Sequence, residues 1–445
     1  MSVNIAIIGL GYVGLPLAVT FSKIKKFKVI GFELDKKKIS QLINGKSYIK
    51  DISNREVIDL KKRKFTPTNN VKYLNEVKYI IIALPTPITP KKEPNNKYLL
   101  EFSKILRKVN LRDKVICLES TVYPSATEQI FLPIIRQQNL KVGKDVYLGY
   151  SPERIDPSNK KFKVKNITKI VSGYSNRCLK EVKKLYSHIT KTVDASSIIC
   201  AEFTKCYENV FRSINISFAN EMKLLSHKIN IDIFEVIKLA NTKPFGIFPF
   251  FPGPGMGGHC IPVDPFILSW FAKRNNFDAQ FIELSGKIND KMPNYVVSRI
   301  LNHLYKQPNN NKKILILGLS YKKNVGDIRE SSSIKVIKLL KKFKFDVYYN
   351  DPYIKKMDIE NLRIKNSKVD KINLKKFQYV VCLADHDLYN YKDILKHSKF
   401  IVDTRNRFPS YNKKIITAWQ KYYLRGIFMS QKDVGNKVPI YKLKK

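Results

Sequence analysis

"VNIAIIGLGYVGLPLAVTF", residues Val3 to Phe21, decides the fold. Val3 to Ile8 is an apolar, β-branched run of strand length, and a second apolar stretch with helical spacing begins near Val13. Between them stand Gly9, Gly11 and Gly14. In a strand–turn–helix unit the first glycine permits the tight turn and the second lets the backbone approach a pyrophosphate. The third lets helix and strand pack closely, and the helix N-terminus then faces the anion. Glu33 ends the next apolar strand, "FKVIGFELD", where a carboxylate can meet ribose hydroxyls. Its charge would repel a 2'-phosphate, so the pattern favours NAD over NADP, with Asp35 a competitor for the same role. The cofactor-binding residues expected here are Gly9, Gly11, Tyr12, Val13, Gly14 and Glu33. The plain alternative is a glycine turn that serves packing alone.

Working outward, "VKYIIIALPTP" and "DKVICLEST" read as further strands, separated by helical stretches such as "LLEFSKILRKV". "DVYLGYSPE" and "ITKIVSGY" continue the alternation to about residue 190. Strands alternating with helices predict a parallel, doubly wound sheet. Residues 196–240 change character: they hold no glycine or proline, and Phe203, Val210, Ile214 and Phe218 recur at helical spacing. A helix this long commonly bridges domains and can supply a dimer face. From Asn309, "NNNKKILILGLSYK" starts a second alternating pattern, continued by "FDVYYNDP", "YVVCLADH" and "FIVDTRN". The expected fold class is therefore α/β, with two Rossmann-like doubly wound sheets joined by a long central helix within an α-helical middle region. The expected domains are 1–190, a cofactor-binding domain; 191–308, a central helical region with a glycine-rich loop; 309–430, a second α/β domain; and 431–445, a polar tail.

Composition narrows the functional classes. A chain of 445 residues with 44% hydrophobic content can bury large cores. No apolar run reaches the roughly 20 residues of a membrane span, and the N-terminus lacks the features of a signal peptide. The six cysteines are scattered without a CxxC pair, which argues for reduced thiols in a cytoplasm, and against a disulfide framework or a metal site. The formal charge of +45 suggests a nucleic-acid or anionic membrane surface. Lysine is nevertheless spread along the whole chain, and no basic–aromatic nucleic-acid module is recognisable. A lysine-biased composition is the expected reading, with no specific nucleic-acid partner and no membrane.

Two stretches carry chemistry. Lys205 and Asn209 lie four apart on the long helix and so share a face. Such a pair can stabilise a developing oxyanion or position water, although an arbitrary Lys/Asn pair is more often a solvated face. In "FPGPGMGGHCIPVDP", residues Phe251 to Pro265, a single thiol, Cys260, stands among glycines and prolines with Asp264 close by. Backbone NH groups of a glycine-rich turn can lower a thiol's pKa.

With these blocks in place the chain resembles the UDP-glucose/GDP-mannose dehydrogenase family of NAD-dependent four-electron oxidoreductases. The matching series runs through "GLGYVGLP", "LPTP", "ESTVYP", "YSPER", "EFTKCYEN", "GPGMGGHCIPVDP", "GLSYK", "DIRES", "NDPY" and "VDTRN". The resemblance implies that Cys260 is a covalent nucleophile, capturing a C6 aldehyde as a thiohemiacetal that is oxidised to a thioester and released by water. It implies that Lys205 and Asn209 steady oxyanions and contact the substrate, and that Asp264, Thr121 and Glu153 orient water and relay protons. Thr86, Thr121 and Glu153 match residues lining the nicotinamide side, and Arg329 matches a cofactor contact. Gly257, Lys322 and Arg405 match nucleotide-sugar contacts. The family also dimerises through the long helix, so a homodimer or higher homo-oligomer is expected.

Departures bear on the substrate. An arginine common in UDP-glucose enzymes before the thiol loop is replaced, by simple counting, by Pro244. A second acid that often follows the "PE" is replaced by Pro157. With "FIELSGKIN" these resemble the subgroup acting on UDP-N-acetylhexosamines, UDP-N-acetylglucosamine foremost, in surface-polysaccharide synthesis such as O-antigen or capsule. UDP-glucose, UDP-N-acetylgalactosamine and UDP-N-acetylmannosamine stand as alternatives, as does a basic, non-catalytic binding protein on the same fold.

Overall fold

The computed structural model describes residues 3–49, 51–155, 164–258, 260–355, 357, 362, 364–409 and 412–417. His259, Pro157 and the expected tail 431–445 lie outside them.

The opening unit forms as its sequence dictates: strand β1 (Val3–Ile8), the glycine turn, then helix α1 (Gly14–Ser22). Seven more strands join β1 in the first sheet. They are β2 (Phe27–Phe32), β3 (Phe65–Thr68), β4 (Tyr79–Ile82), β5 (Val115–Leu118), β6 (Tyr147–Tyr150), β7 (Lys169–Gly173) and β8 (Thr192–Asp194). Their order is β3-β2-β1-β4-β5-β6-β7-β8. Two features depart from the reading of the sequence. The Thr/Pro-containing "FTPT" of β3 is an edge strand, where proline's missing NH costs no ladder bond. β7 runs antiparallel to β6, with Gly149 opposite Gly173, so the sheet is not wholly parallel.

The second sheet holds β9 (Lys313–Leu317), β10 (Asp346–Asn350), β11 (Lys365–Asn366), β12 (Tyr379–Cys382), β13 (Phe400–Asp403) and β14 (Ile415–Thr417). Its order, β11-β10-β9-β12-β13-β14, is parallel throughout. Each sheet separates two apolar clusters, one on each face. Each reverses its winding beside its first strand, opening a crevice at the strand ends between β1 and β4 and between β9 and β12.

Between the sheets run helices α2 (Ile198–Lys228), α3 (Ile233–Ala240), α4 (Asp264–Arg274) and α5 (Gln280–Lys306). The buried face of α2 is its polar one, with Lys205, Asn209, Ser213, Ser217, Asn220 and Lys223 turned inward. Phe203, Tyr207, Phe211, Phe218 and Leu225 are exposed instead. The polar face is satisfied by its neighbours: Ser213 meets Ser285 at 3.3 Å, and Asn220 Nδ2 donates to Asn289 Oδ1 at 2.8 Å. No helix among the described residues is long and apolar enough to cross a membrane.

Candidate functional site

The glycine turn is built for an anion. Gly9 takes φ +86°, and a Cβ there would lie 2.9 Å from the Ala83 carbonyl oxygen; one on Gly14 would lie 1.9 Å from Gly9's. Both positions therefore admit only glycine, and both close the strand–helix corner. Around Gly11 nothing lies within 4 Å of where a Cβ would be, which leaves bare backbone for a pyrophosphate to approach. Glu33 sits beside this turn, accepting from the backbone NH groups of Leu10 at 3.1 Å, Leu34 at 3.0 Å and Asp35 at 3.2 Å. Asp35 is occupied otherwise: its side chain caps the helix Lys36–Ile43 through the NH groups of Lys37 and Lys38. Of the two carboxylates only Glu33 lies against the glycine turn, through the Leu10 NH group, and the residues present fit NAD. Tyr12 is exposed and Val13 half-buried on the same turn. Buried Thr86 follows β4, just past the Ala83 and Leu84 that pack on Gly9.

The thiol loop is linked to this turn through Arg329, whose carbonyl accepts from Gly258 NH and whose guanidinium covers the Tyr12 ring. The Cys260 carbonyl oxygen accepts from the NH groups of Val263 at 3.0 Å and Asp264 at 2.8 Å, which starts α4. Asp264 is buried, and Asn209 Nδ2 donates to its Oδ2 at 2.5 Å. Thr121, which follows β5, also bonds this carboxyl. Burial pushes the Asp264 carboxyl up to about 6, against Lys205 and the hydrogen bonds of Asn209 and Thr121. The Lys205 ammonium is within electrostatic reach of Cys260, Asp264 and Glu153 at once. The sequence pair Lys205/Asn209 is therefore a buried face aimed at the thiol, not a solvated one.

The thiol itself corrects an expectation. Cys260 is exposed as a residue, yet the cleft around it is dense enough to desolvate the sulfur. That desolvation, joined by the Asp264 charge, pushes the thiol up to about 11, outweighing Lys205, Arg329 and Arg212. The glycine-rich turn does not lower it.

The glycines of the loop serve docking as much as any ligand. A Cβ on Gly257 would come within 2.7 Å of Tyr321 Cβ and 2.9 Å of the Glu330 carbonyl oxygen, and one on Gly253 within 2.8 Å of Arg405 Nη1. Gly253 NH donates to Asn220 Oδ1 at 2.9 Å, and Gly258 NH to the Arg329 carbonyl at 3.2 Å. The loop is clamped between α2 and the second sheet. Arg405 stands at the end of β13, its Nε donating to the Leu383 carbonyl at 2.8 Å. Half-buried Lys322 follows β9 on the same side. Arg329 reaches back to the first domain: its guanidinium lies 4.8 Å above the Tyr12 ring, held by a fork of bonds to Asp327.

Three residues escaped the reading of the sequence. Lys169, Glu119 and Tyr186 are buried behind Glu153, and Lys169 Nζ lies 2.9 Å from Glu119 and 3.5 Å from Glu153. The available signal was a charge inside strand runs that are otherwise apolar, "ITKIVSG" and "VICLES". Glu202, also buried, binds the NH groups of Ser125 and Thr127 and so fixes the turn after Thr121.

Comparisons with known proteins agree along the chain. Three family models of the UDP-glucose/GDP-mannose dehydrogenase family match: the NAD binding domain over residues 3–190, the central domain over 200–291 and the UDP binding domain over 315–410. A UDP-N-acetyl-D-glucosamine 6-dehydrogenase of Salmonella typhi is 37% identical over 366 residues, covering 81% of this chain and 84% of its own. Protein CapL of Staphylococcus aureus is 37% identical over 402 residues, covering 89% and 93%. Among solved structures, a UDP-D-ManNAc dehydrogenase from Pyrococcus horikoshii superimposes with a TM-score of 0.83 at 28% identity, covering 91% of this chain and 96% of its own.

Proposed function

Because the chain belongs to the UDP-glucose/GDP-mannose dehydrogenase family, whose members are NAD-dependent nucleotide-sugar oxidoreductases, we propose that it oxidises the C6 alcohol of a UDP-N-acetylhexosamine to the uronic acid. UDP-N-acetylglucosamine is the first choice of sugar. One observation carries the chemistry: Cys260, Asp264, Asn209, Thr121 and Lys205, brought from three separate parts of the chain, converge on one cleft. The sugar rests on likeness to relatives named for UDP-N-acetylglucosamine. Relatives named for UDP-N-acetyl-D-mannosamine keep that epimer as the second reading.

NAD, when bound, accepts both electron pairs, so that one alcohol, two NAD+ and one water become one carboxylate, two NADH and three protons. The chain's own residues do the rest. Lys205 and Asn209 offer an ammonium and an amide NH to an oxygen that develops charge at C6. Cys260 Sγ adds to the aldehyde carbon, its proton passing toward Asp264, and the thiohemiacetal so formed is oxidised to a thioester. Water then breaks the C–S bond, with Glu153 and Thr121 placed to orient it and take its proton. Bare glycine backbone, Lys322 and Arg405 hold the nucleotide side.

Four exposed aromatics of α2, Phe203, Tyr207, Phe211 and Phe218, with Phe248 beside Phe211, supply an apolar face for a second copy. We place the enzyme in the cytoplasm, where its six free thiols stay reduced and UDP-sugars are made for surface polysaccharide. The test is a panel of UDP-sugars with NAD, following NADH absorbance and product mass. Turnover of UDP-N-acetylglucosamine to an acid 14 mass units heavier than its alcohol, about the exchange of two hydrogens for one oxygen, supports the reading. Preference for UDP-glucose would overturn the choice of sugar.

A further inference from the structure

Behind Glu153 lies a buried array that the proposed chemistry has not used. Lys169 stands on β7, in a strand whose other residues are apolar or small, and its side chain is 7% exposed. An ammonium has three donors and no acceptor. Here each has a receiver: Glu119 Oε2 at 2.9 Å, the Pro152 carbonyl at 3.4 Å and Glu153 Oε2 at 3.5 Å. Glu119, at the end of β5, is fixed from its other side by the Tyr186 hydroxyl, which donates to Oε1 at 2.5 Å. The Tyr186 ring in turn lies 5.0 Å from the Lys169 ammonium. Glu153 is the most exposed of the three charged groups, at 14% against 7% for Lys169 and 0% for Glu119, and the Lys205 ammonium faces it; its Oε1 accepts from the NH groups of Arg154 and Ile155, both at 2.7 Å.

One cation shared by two buried carboxylates cannot neutralise both. Burial and the Glu153 charge raise the Glu119 carboxyl to about 7, with Lys169 and Tyr186 pulling it down. Burial would raise Glu153 as well, yet Lys169, the Arg154 and Ile155 NH groups and Lys205 hold it below the ordinary range. Lys169 keeps its proton, because the two carboxylates outweigh its burial. The groups facing Glu153 are thus Lys169 and Glu119 from the sheet and Lys205 from α2, and those facing Glu119 include Tyr186 and Cys117.

We propose that Lys169 is the positioning residue of this enzyme's proton relay, holding Glu153 charged and facing the cleft while Glu119 and Tyr186 fix the ammonium from behind. The inference rests on the relay role given to Glu153 above. Without Lys169, two carboxyls in one buried pocket repel, and Glu153 protonates at higher pH. Without Glu119, Lys169 serves Glu153 alone.

The experiment measures kcat and kcat/KM against pH, from about 5.5 to about 9.5, for Lys169→Met, Glu119→Gln and the double variant. It uses whichever UDP-sugar the wild-type enzyme oxidises, so a wrong choice of sugar leaves it intact. Lys169→Met is expected to move the acidic limb up by about one pH unit or more and to lower neutral kcat about 10- to 100-fold. The double variant should bring the limb back toward the wild type, and Glu119→Gln alone should move it down. A Lys169→Met limb that stays in place, or a double variant no different from the single one, overturns the proposal. If Lys169→Met does not fold, Glu119→Gln decides: an unmoved or raised limb counts against it. Glu153→Gln with a wild-type profile would overturn the relay role and this inference together.

Discussion

Asp264, at the start of the helix behind the thiol loop, receives a 2.5 Å hydrogen bond from Asn209, 55 residues earlier in the chain. This bond ties the loop that carries Cys260 to the helix that carries Lys205, and so sets the register of the whole cleft. Asn209→Ala leaves Asp264 buried with one donor fewer. Turnover should fall about 100-fold or more, the scale of losing one preorganised donor. UDP-sugar affinity by calorimetry should change by only a few fold. Loss of binding with preserved kcat would show that Asn209 serves the ground state alone.

Cys260→Ser should lower acid production by several orders of magnitude, because a serine hydroxyl is a poor nucleophile at neutral pH. The nucleotide contacts proposed for Lys322 and Arg405 lie outside the thiol chemistry, so UDP-sugar binding should persist. Cys206→Ser is the control: that sulfur is buried on the same helix as Lys205 and points at the Val122 carbonyl. Equal losses in both variants, or near-normal acid production by Cys260→Ser, would remove Cys260 from the role of nucleophile.

Glu33→Ala should raise the KM for NAD about tenfold and narrow the preference over NADP. Its carboxylate faces three backbone NH groups beside the glycine turn, with Lys38, at 3.5 Å, as its ion-pair partner among the described residues. Comparable efficiency of the wild-type enzyme with both cofactors would contradict this.

Lys223→Met should stabilise the protein at neutral pH. Lys223 is fully buried on α2, and burial, aided by Arg299 and opposed by Asp232, lowers its ammonium to about 6. Between about 6 and its ordinary value near 10.5 the unfolded chain binds more protons than the folded one, so wild-type stability rises with pH across that window. The thermal midpoint of the Met variant should therefore exceed the wild type's at pH 7, with the gap closing as pH approaches 10. A gap that widens with pH would reverse the sign.

Phe211→Glu with Phe218→Glu should shift the enzyme from dimer or larger to monomer in light scattering. Both rings are exposed on α2. A monomeric wild-type mass at working concentration would contradict the assembly, as would an unchanged mass in the double variant.

What the sequence determined by itself was local. The strand, glycine turn and helix of Val3 to Ser22 depend on contacts a few residues apart, and their periods and glycine spacing show directly in the chain. The repeat of that alternation after residue 310 was legible for the same reason. The tertiary structure decided whatever depended on burial. Periodicity cannot say which face of α2 turns inward, and here the polar face does, because its partners are Ser285, Asn289 and Asp264 on distant helices. Spacing suggested a thiol acidified by bare backbone, whereas desolvation and the Asp264 charge, both set by packing between domains, raise it. Lys169 looked like one more lysine among many; only the fold places it between Glu119 and Glu153, where burial turns an ordinary charge into one whose partners matter.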